Sequence, residues 1–188
     1  IVFLGLKKIS LANTLEEIGE SAFEGCYALE SPSNWILPRN LVNISKNAFK
    51  DCKSLTNAIF NSNLEDIGES AFEGCAQGIS HSSANSMIEY SGLSRLDFSY
   101  ATKLKSIGNS AFKNTFIKNI SFPSKVTQIP QRVCEGCYHL KSVDDMSKNV
   151  TSVGAYAFKD CYSLSSVKIP ISATWENTLF SGITAGKT

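Results

Sequence analysis

The sequence predicts a repeat solenoid, a fold in which short structural units stack one on another. One phrase recurs six times, its copies begin 22 to 40 residues apart, and its fixed positions are apolar. The sixth copy reads Val150-x-x-Val153-Gly154-x-x-Ala157-Phe158-x-x-Cys161-x-x-Leu164. Repeats of this length are typical of stacked supersecondary units, none of which buries its apolar face alone.

The copies define one predicted domain over residues 1–188. They begin near residues 15, 41, 64, 104, 126 and 150, after a partial rung at 1–14 that matches only the end of a repeat. Residues 171–188 match a decayed seventh copy, which we expect to cap the array. There Trp175 takes the Ile position, Leu179 the Ala position, Phe180 the Phe position and Ile183 the Cys position. Because the chain opens within a repeat, we expect a fragment of a longer array.

Each copy divides into three predicted elements. Short alternating segments at 9–11, 58–60, 96–98, 120–122, 143–145 and 167–169 predict strands with one buried face. The Leu-x-x-Ile-Gly segment that follows is predicted to turn the chain at its glycine. About one helical turn is then predicted at the Ala-Phe pair, with four predicted N-caps: Ser21, Asn47, Ser70 and Ser110.

The six cysteines raise the question of disulfides or zinc. Five share the slot three residues after the Phe position, which predicts small, buried, free thiols: Cys26, Cys52, Cys75, Cys137 and Cys161. Stacking brings Cys26 near Cys52 and Cys137 near Cys161, so disulfides in these pairs stay an alternative. The remaining one, Cys134, fills the Phe position. Because Cys134-x-x-Cys137 lacks a second ligand pair, we predict no metal and no cofactor.

No constellation of residues predicts an enzyme. His81 and His139 lie in different copies, and neither is paired with a Ser or Cys nucleophile. The last residues resemble a phosphate-binding loop but have one residue too few between Gly182 and Gly186. The net charge is +1 without any basic cluster, so nucleic acid is not an expected partner. The longest apolar run is too short for a bilayer, so we predict no membrane insertion.

The outward side chains of the predicted strands form the one repetitive open surface, where a protein partner is expected. These are Lys8, Ser10, Asn57, Ile59, Arg95, Asp97, Asn119, Ser121, Ser142, Asp144, Ser166 and Lys168. Two insertions add candidates, because insertions in solenoids commonly lie on a binding face. The first, at 76–92, carries Met87 and Tyr90, and the second, at 33–35, carries Trp35. Trp35 is either an exposed anchor or folds inward beside Leu37, and an ordinary solvated sheet face is the alternative for the strands.

The phrase between Val150 and Pro170 resembles the Treponema-type leucine-rich repeat of BspA-like surface proteins, and the resemblance covers about residues 4–170. It implies a right-handed α/β solenoid with a parallel β-sheet on one side and short helical turns on the other. Other copies in this sequence depart from the family pattern. In the fourth copy Thr115 replaces Cys and Ile117 follows one residue early, and in the fifth copy Cys134 replaces Phe.

The same resemblance implies a cell-surface or secreted protein of a bacterium or protist, with no catalytic residues. Members of the family are often proposed to bind host or matrix proteins. We therefore predict a monomeric, non-enzymatic protein-binding module with a role in adhesion. The alternative is an intracellular scaffold for protein–protein interactions.

Overall fold

The computed structural model describes residues 5–77, 91–144, 146 and 148–183, which form a stack of parallel rungs. This part of the chain contains short strands joined by turns, and no helix. The strands are β1 (Glu17–Ile18), β2 (Asn43–Ile44), β3 (Asn57–Ile59), β4 (Asp66–Ile67), β5 (Arg95–Asp97), β6 (Ser106–Ile107), β7 (Asn119–Ser121), β8 (Gln128–Ile129), β9 (Ser142–Asp144), β10 (Ser152–Val153), β11 (Ser166–Val167) and β12 (Thr174–Trp175). Every pairing among them is parallel, which confirms the predicted repeat solenoid.

Three walls surround the core. The first ladder consists of the sheets β1-β2-β4-β6 and β8-β10-β12, and the second ladder of β3-β5 and β7-β9-β11. After its first-ladder strand each rung forms part of the turn wall, at 19–26, 45–52, 68–75, 108–115, 130–137, 154–161 and 176–183. Apolar side chains from all three walls meet in one cluster that runs from Ile18 to Leu179.

The Leu-x-x-Ile segments form the first ladder, so the prediction that they only turn the chain is wrong. Their strands are two residues long, too short for alternation to be recognised in a single copy. The sheet exists because Ile44 pairs in register with Ile18 on one side and Ile67 on the other. The glycine after the strand permits close approach, since a Cβ at Gly68 would lie 2.6 Å from the backbone nitrogen of Lys46 in the preceding rung.

The second ladder contains the predicted alternating segments of rungs two to six. Its strands begin one residue earlier than predicted, at Asn57, Arg95, Asn119, Ser142 and Ser166. The predicted first strand at 9–11 does not form, although Ile9 and Leu11 pack against the core.

The turn wall takes the place of the predicted helical turns. The four predicted N-caps have φ between 53° and 57°, in the left-handed region, whereas an N-cap lies in the β region. The amide of Phe23 donates to the carbonyl of Ala48 at 2.8 Å, and the amide of Phe49 donates to that of Ala71 at 2.8 Å. Because these amides bond to the next rung, they cannot close helical turns within their own rung.

The cysteines support the turn wall. All six are free and buried, as predicted, so neither alternative disulfide is present. The Cys52 thiol donates to the carbonyl of Phe23 at 3.0 Å, and the Cys75 thiol donates to that of Phe49 at 3.0 Å. Burial raises the pKa of both thiols, so they stay protonated and remain donors at neutral pH.

The phenylalanines stack along the core. Ring centroids lie 5.2 Å apart for Phe23 and Phe49, 5.2 Å for Phe49 and Phe72, and 6.0 Å for Phe72 and Phe112. In the seventh rung Phe180 stacks on Phe158 at 6.2 Å. In the same rung β12 pairs with β10, and the capping role of the decayed copy stays a prediction.

Charge alternates along the turn wall. The residue after the Phe position is in turn Glu24, Lys50, Glu73, Lys113, Glu135 and Lys159. The following residue alternates between glycine and Asp or Asn, and a Cβ at Gly74 would collide with the Asp51 carboxylate of the preceding rung. Two kinds of rung therefore alternate, and the array has a stacking period of two rungs.

The charge alternation produces its closest contacts at Glu135. This carboxylate is 10% exposed and lies 2.8 Å from Arg132, 3.6 Å from Lys113 and 3.5 Å from Lys159. Burial raises the pKa of Glu135, but the Arg132 hydrogen bond and the neighbouring cations outweigh it and hold this pKa below its ordinary value. The ionised carboxylate therefore joins rungs four, five and six.

We expect Phe49→Ala and Phe72→Ala each to lower the free energy of unfolding by about 3–5 kcal/mol. Each substitution removes a fully buried ring with a stacked neighbour on both sides. Phe180→Ala is the control, because Phe180 is 37% exposed. Urea denaturation measures all three, and a loss below about 1 kcal/mol at both buried positions is incompatible with the stack.

Glu135→Gln should lower the free energy of unfolding by about 1–3 kcal/mol at pH 7. Because the folded pKa lies below the unfolded one, this stabilisation is present above the unfolded pKa of about 4.3 and is lost as pH falls through the folded pKa. The difference in the free energy of unfolding between wild type and the Glu135→Gln variant should therefore decrease towards pH 3, as measured by denaturation at a series of pH values. Glu24→Gln is the matched control, since Glu24 holds the same slot in rung one and accepts a hydrogen bond from Ser21. A difference between wild type and Glu135→Gln that does not change with pH contradicts a stabilising role of the ionised Glu135 carboxylate.

Candidate binding groove

The predicted partner residues do not converge on one surface. Lys8 and Ser10 are exposed but lie outside the strands. On β5, Arg95 forms an ion pair with Asp97 at 2.8 Å, and hydrogen bonds from Ser99 lower the pKa of Asp97. The strands β7, β9 and β11 display a separate set: the exposed Asn119, Ser121, Asp144 and Ser166, with Ser142 half-buried and Lys168 exposed just beyond β11.

Asn57 and Ile59 are buried, at 5% and 6% exposure, so the prediction that they face outward is wrong. Residues 31–37 cover them: the Leu37 amide donates to the Ile59 carbonyl at 3.0 Å, and the Trp35 amide donates to Asn57 Oδ1 at 3.2 Å. The Trp35 ring packs edge-on against Phe49 at 5.6 Å. Of the two alternatives for Trp35, the structure shows the inward one, so an exposed anchor at Trp35 is excluded.

The insertion at 76–92 is described only at its base. Met87 and Tyr90 lie outside the described residues. Ala76 and Gly92 form an antiparallel bridge, and the Gln77 amide donates to the Ser91 carbonyl at 2.7 Å. The two ends of the insertion therefore meet at one point of the array.

Both ladders are interrupted at the same place in the chain. The first ladder has no pairing between β6 and β8, and the second has none between β5 and β7. We call this interruption the ladder break. Strands before residue 115 pair only among themselves, and strands after residue 117 do the same.

Two sequence departures account for the ladder break. Rung four is one residue short between Phe112 and Ile117. Just beyond it the Lys118 amide forms only a long bond of 3.4 Å to the Ser94 carbonyl. In rung five Pro130 occupies the glycine slot, where Gly68, Gly108 and Gly154 each donate an amide bond to the preceding rung at 2.7 to 2.8 Å. Proline has no amide hydrogen, so the corresponding bond to the Ile107 carbonyl cannot form.

A groove of about 820 Å³ opens on the first ladder at the ladder break. It runs from β6 across the break and over β8, β10 and β12. A smaller cleft of about 280 Å³ lies on the second ladder between β5 and β7. Sequence reasoning missed the groove because it assigned the first-ladder segments to turns, although Pro130 in a glycine slot was an available signal.

The groove lining is polar and carries one exposed indole. Gln128, Gln131, Ser152 and Thr174 contribute amides and hydroxyls, and Trp175 is 52% exposed. Charged lining residues on the near side are paired: Lys105 lies 2.6 Å from Glu65 and 3.7 Å from Asp66, and Glu69 lies 3.4 Å from Lys46. The Glu65 hydrogen bond and the Asp66 charge raise the pKa of Lys105, so it stays protonated.

The described ranges offer neither a metal centre nor a membrane-spanning helix. No group of three His, Cys, Asp or Glu side chains there is placed to hold a metal ion. No helix in these ranges has the length and apolarity needed to cross a membrane.

Comparison with known proteins identifies relatives of the fold. The model of the BspA-type leucine-rich repeat region matches residues 3–92 and 89–185, in six copies. A leucine-rich repeat protein from Bacteroides ovatus is 25% identical with a TM-score of 0.71, over 88% of this chain and 38% of that protein. A leucine-rich repeat protein from Treponema pallidum is 28% identical with a TM-score of 0.60, over 72% of this chain and 57% of that protein. No curated protein matches.

The chain thus spans less than two thirds of the length of these two solved structures. The family match covers nearly all of its residues and agrees with the six-fold phrase and the parallel ladders. The chain belongs to the BspA-type leucine-rich repeat family.

Proposed function

We propose that this chain is a non-enzymatic module that binds a protein partner at the cell surface or in secreted form, in an adhesive role. Membership of the BspA-type family supports a protein-binding repeat module. An array of packed rungs suits this task, because a partner contacts several rungs at once and each rung is already ordered before binding.

The groove with the exposed Trp175 is the observation that carries the proposal. Tryptophan is enriched at the energetic centres of protein interfaces, where a large apolar ring is buried beside satisfied polar groups. Trp175 lies on β12, next to Thr174 and Glu176 in the chain, at the end of a groove lined by amides and hydroxyls. This combination of an apolar anchor and a polar surround is typical of a standard protein interface.

The exposed residues of the second ladder form a second candidate surface. Asn119, Ser121, Asp144 and Lys168 lie on or beside three paired strands, next to the 280 Å³ cleft. Their mixed charge favours a polar partner surface, and Arg95 and Asp97 extend it across the ladder break.

We expect Trp175→Ala to weaken partner binding at least about tenfold, or about 1.4 kcal/mol. Biolayer interferometry of the chain against a panel of purified secreted and matrix proteins identifies the partner and measures its affinity. Tyr100→Ala is the matched control, because Tyr100 is 62% exposed and lies outside the groove. Asn119→Ala with Lys168→Ala tests the second surface.

If wild type and the Trp175→Ala variant bind the partner with equal affinity, the groove is not the binding site. Location is tested separately with intact cells, by treating them with an external protease and probing for the chain with an antibody. Cleavage supports a surface protein. Protection in intact cells together with cleavage after lysis favours the intracellular scaffold.

A further inference from the structure

The ladder break coincides with a break in the aromatic stack. Phe23, Phe49, Phe72 and Phe112 stack in sequence, and the stack resumes only with Phe158 and Phe180. Between Phe112 and Phe158 the Phe position is held by Cys134. The second ladder is therefore interrupted between rungs three and four, the first ladder between rungs four and five, and the ring stack at rung five.

Backbone bonds near the ladder break show where the rungs separate. The amide of Lys105 donates to Glu65 at 3.0 Å and that of Thr151 to Thr127 at 2.8 Å. The equivalent bond from Thr127 to Lys105 is not formed in the described backbone. On the second ladder the Lys118 amide reaches Ser94 at 3.4 Å, whereas the Lys141 amide reaches Lys118 at 2.7 Å.

The turn wall, in contrast, crosses the same point without weakening. The amides of Ser110, Phe112 and Asn114 donate to rung five at 3.0, 3.0 and 2.8 Å. The Cys137 thiol donates to the Phe112 carbonyl at 3.1 Å, and Lys113 lies 3.6 Å from Glu135. The short contacts between the chain before residue 115 and the chain after residue 117 therefore lie along the turn wall. One further backbone bond, from the Phe116 amide to the Leu93 carbonyl at 3.0 Å, lies where rung four leaves the turn wall.

We infer that the array bends at the ladder break, as two rigid blocks hinged along the turn wall. The block before residue 115 carries β1 to β6, and the block after residue 117 carries β7 to β12. Hinges between packed units absorb motion where few contacts cross, while each unit keeps its own contacts.

The bend sets the width of the groove. Because the turn wall is the pivot, opening the angle separates β6 from β8 and β5 from β7 together. Both the 820 Å³ groove and the 280 Å³ cleft straddle the break, as a wedge with its apex at the turn wall requires. The ion pairs of Glu135 join the rungs along the turn wall and limit how far the bend between the two blocks opens.

Spin-label distance measurements on the chain alone test this hinge, independently of any partner. Nitroxides attached through a ketone-bearing unnatural residue avoid the six buried thiols. One pair, at positions 66 and 174, spans the break on the first ladder between rungs three and seven. The control pair, at positions 73 and 181, joins the same two rungs along the turn wall.

We expect the distance distribution of the first-ladder pair to be about twofold broader than that of the turn-wall pair. Pro130→Gly supplies the missing amide to the Ile107 carbonyl and should narrow the first-ladder distribution towards the control. One serine inserted after Thr115 restores the rung length and should act in the same direction. Glu135→Gln should broaden the first-ladder distance distribution.

Equally narrow distributions for the two wild-type pairs overturn the hinge, whatever the variants do. A first-ladder distribution that stays broad in a folded Pro130→Gly variant and in the serine insertion overturns the assignment of the bend to the ladder break. Circular dichroism establishes that each variant is folded.

Discussion

The stack depends on one interaction, the backbone hydrogen bond from every second turn-wall amide to a carbonyl of the next rung. It places Phe23 under Phe49 and Cys52 under Cys75, so the apolar slots of successive copies meet in the core. The buried thiols and the alternating charges strengthen the same wall. A single rung has no partner for these amides, which is why the fold exists only as an array.

The repeat, the core and the thiols could be predicted from the sequence because they repeat at fixed slots. The first ladder and the left-handed turns could not. A two-residue strand such as β1 has no alternation to recognise, and Ser21 resembles an N-cap until its amide is seen to bond to Lys46. Likewise Asn57 and Ile59 alternate like exposed strand residues, and only the neighbouring segment at 31–37 buries them.

The candidate groove was harder to predict than the fold because it lies at a departure from the repeat. Thr115, Ile117 and Cys134 were recognisable as departures, but their effect on ladder pairing required the three-dimensional register. Pro130 removes one donor in the first ladder, and the shortened rung four precedes the long bond from Lys118 to Ser94 in the second. Local irregularity in an otherwise uniform solenoid thus produces the one large groove among those described and the pivot beside it.

Hydrogen exchange of individual amides, resolved by nuclear magnetic resonance, tests the continuity of the turn wall most directly. The amides of Phe72 and Phe112 should be similarly protected, since each donates to the next rung at 2.9 to 3.0 Å. Thr151, which is bonded to Thr127, should exchange far more slowly than Thr127, which faces the ladder break. Rapid exchange at Phe112, or equal protection of the two threonines, contradicts a solenoid held together along its turn wall.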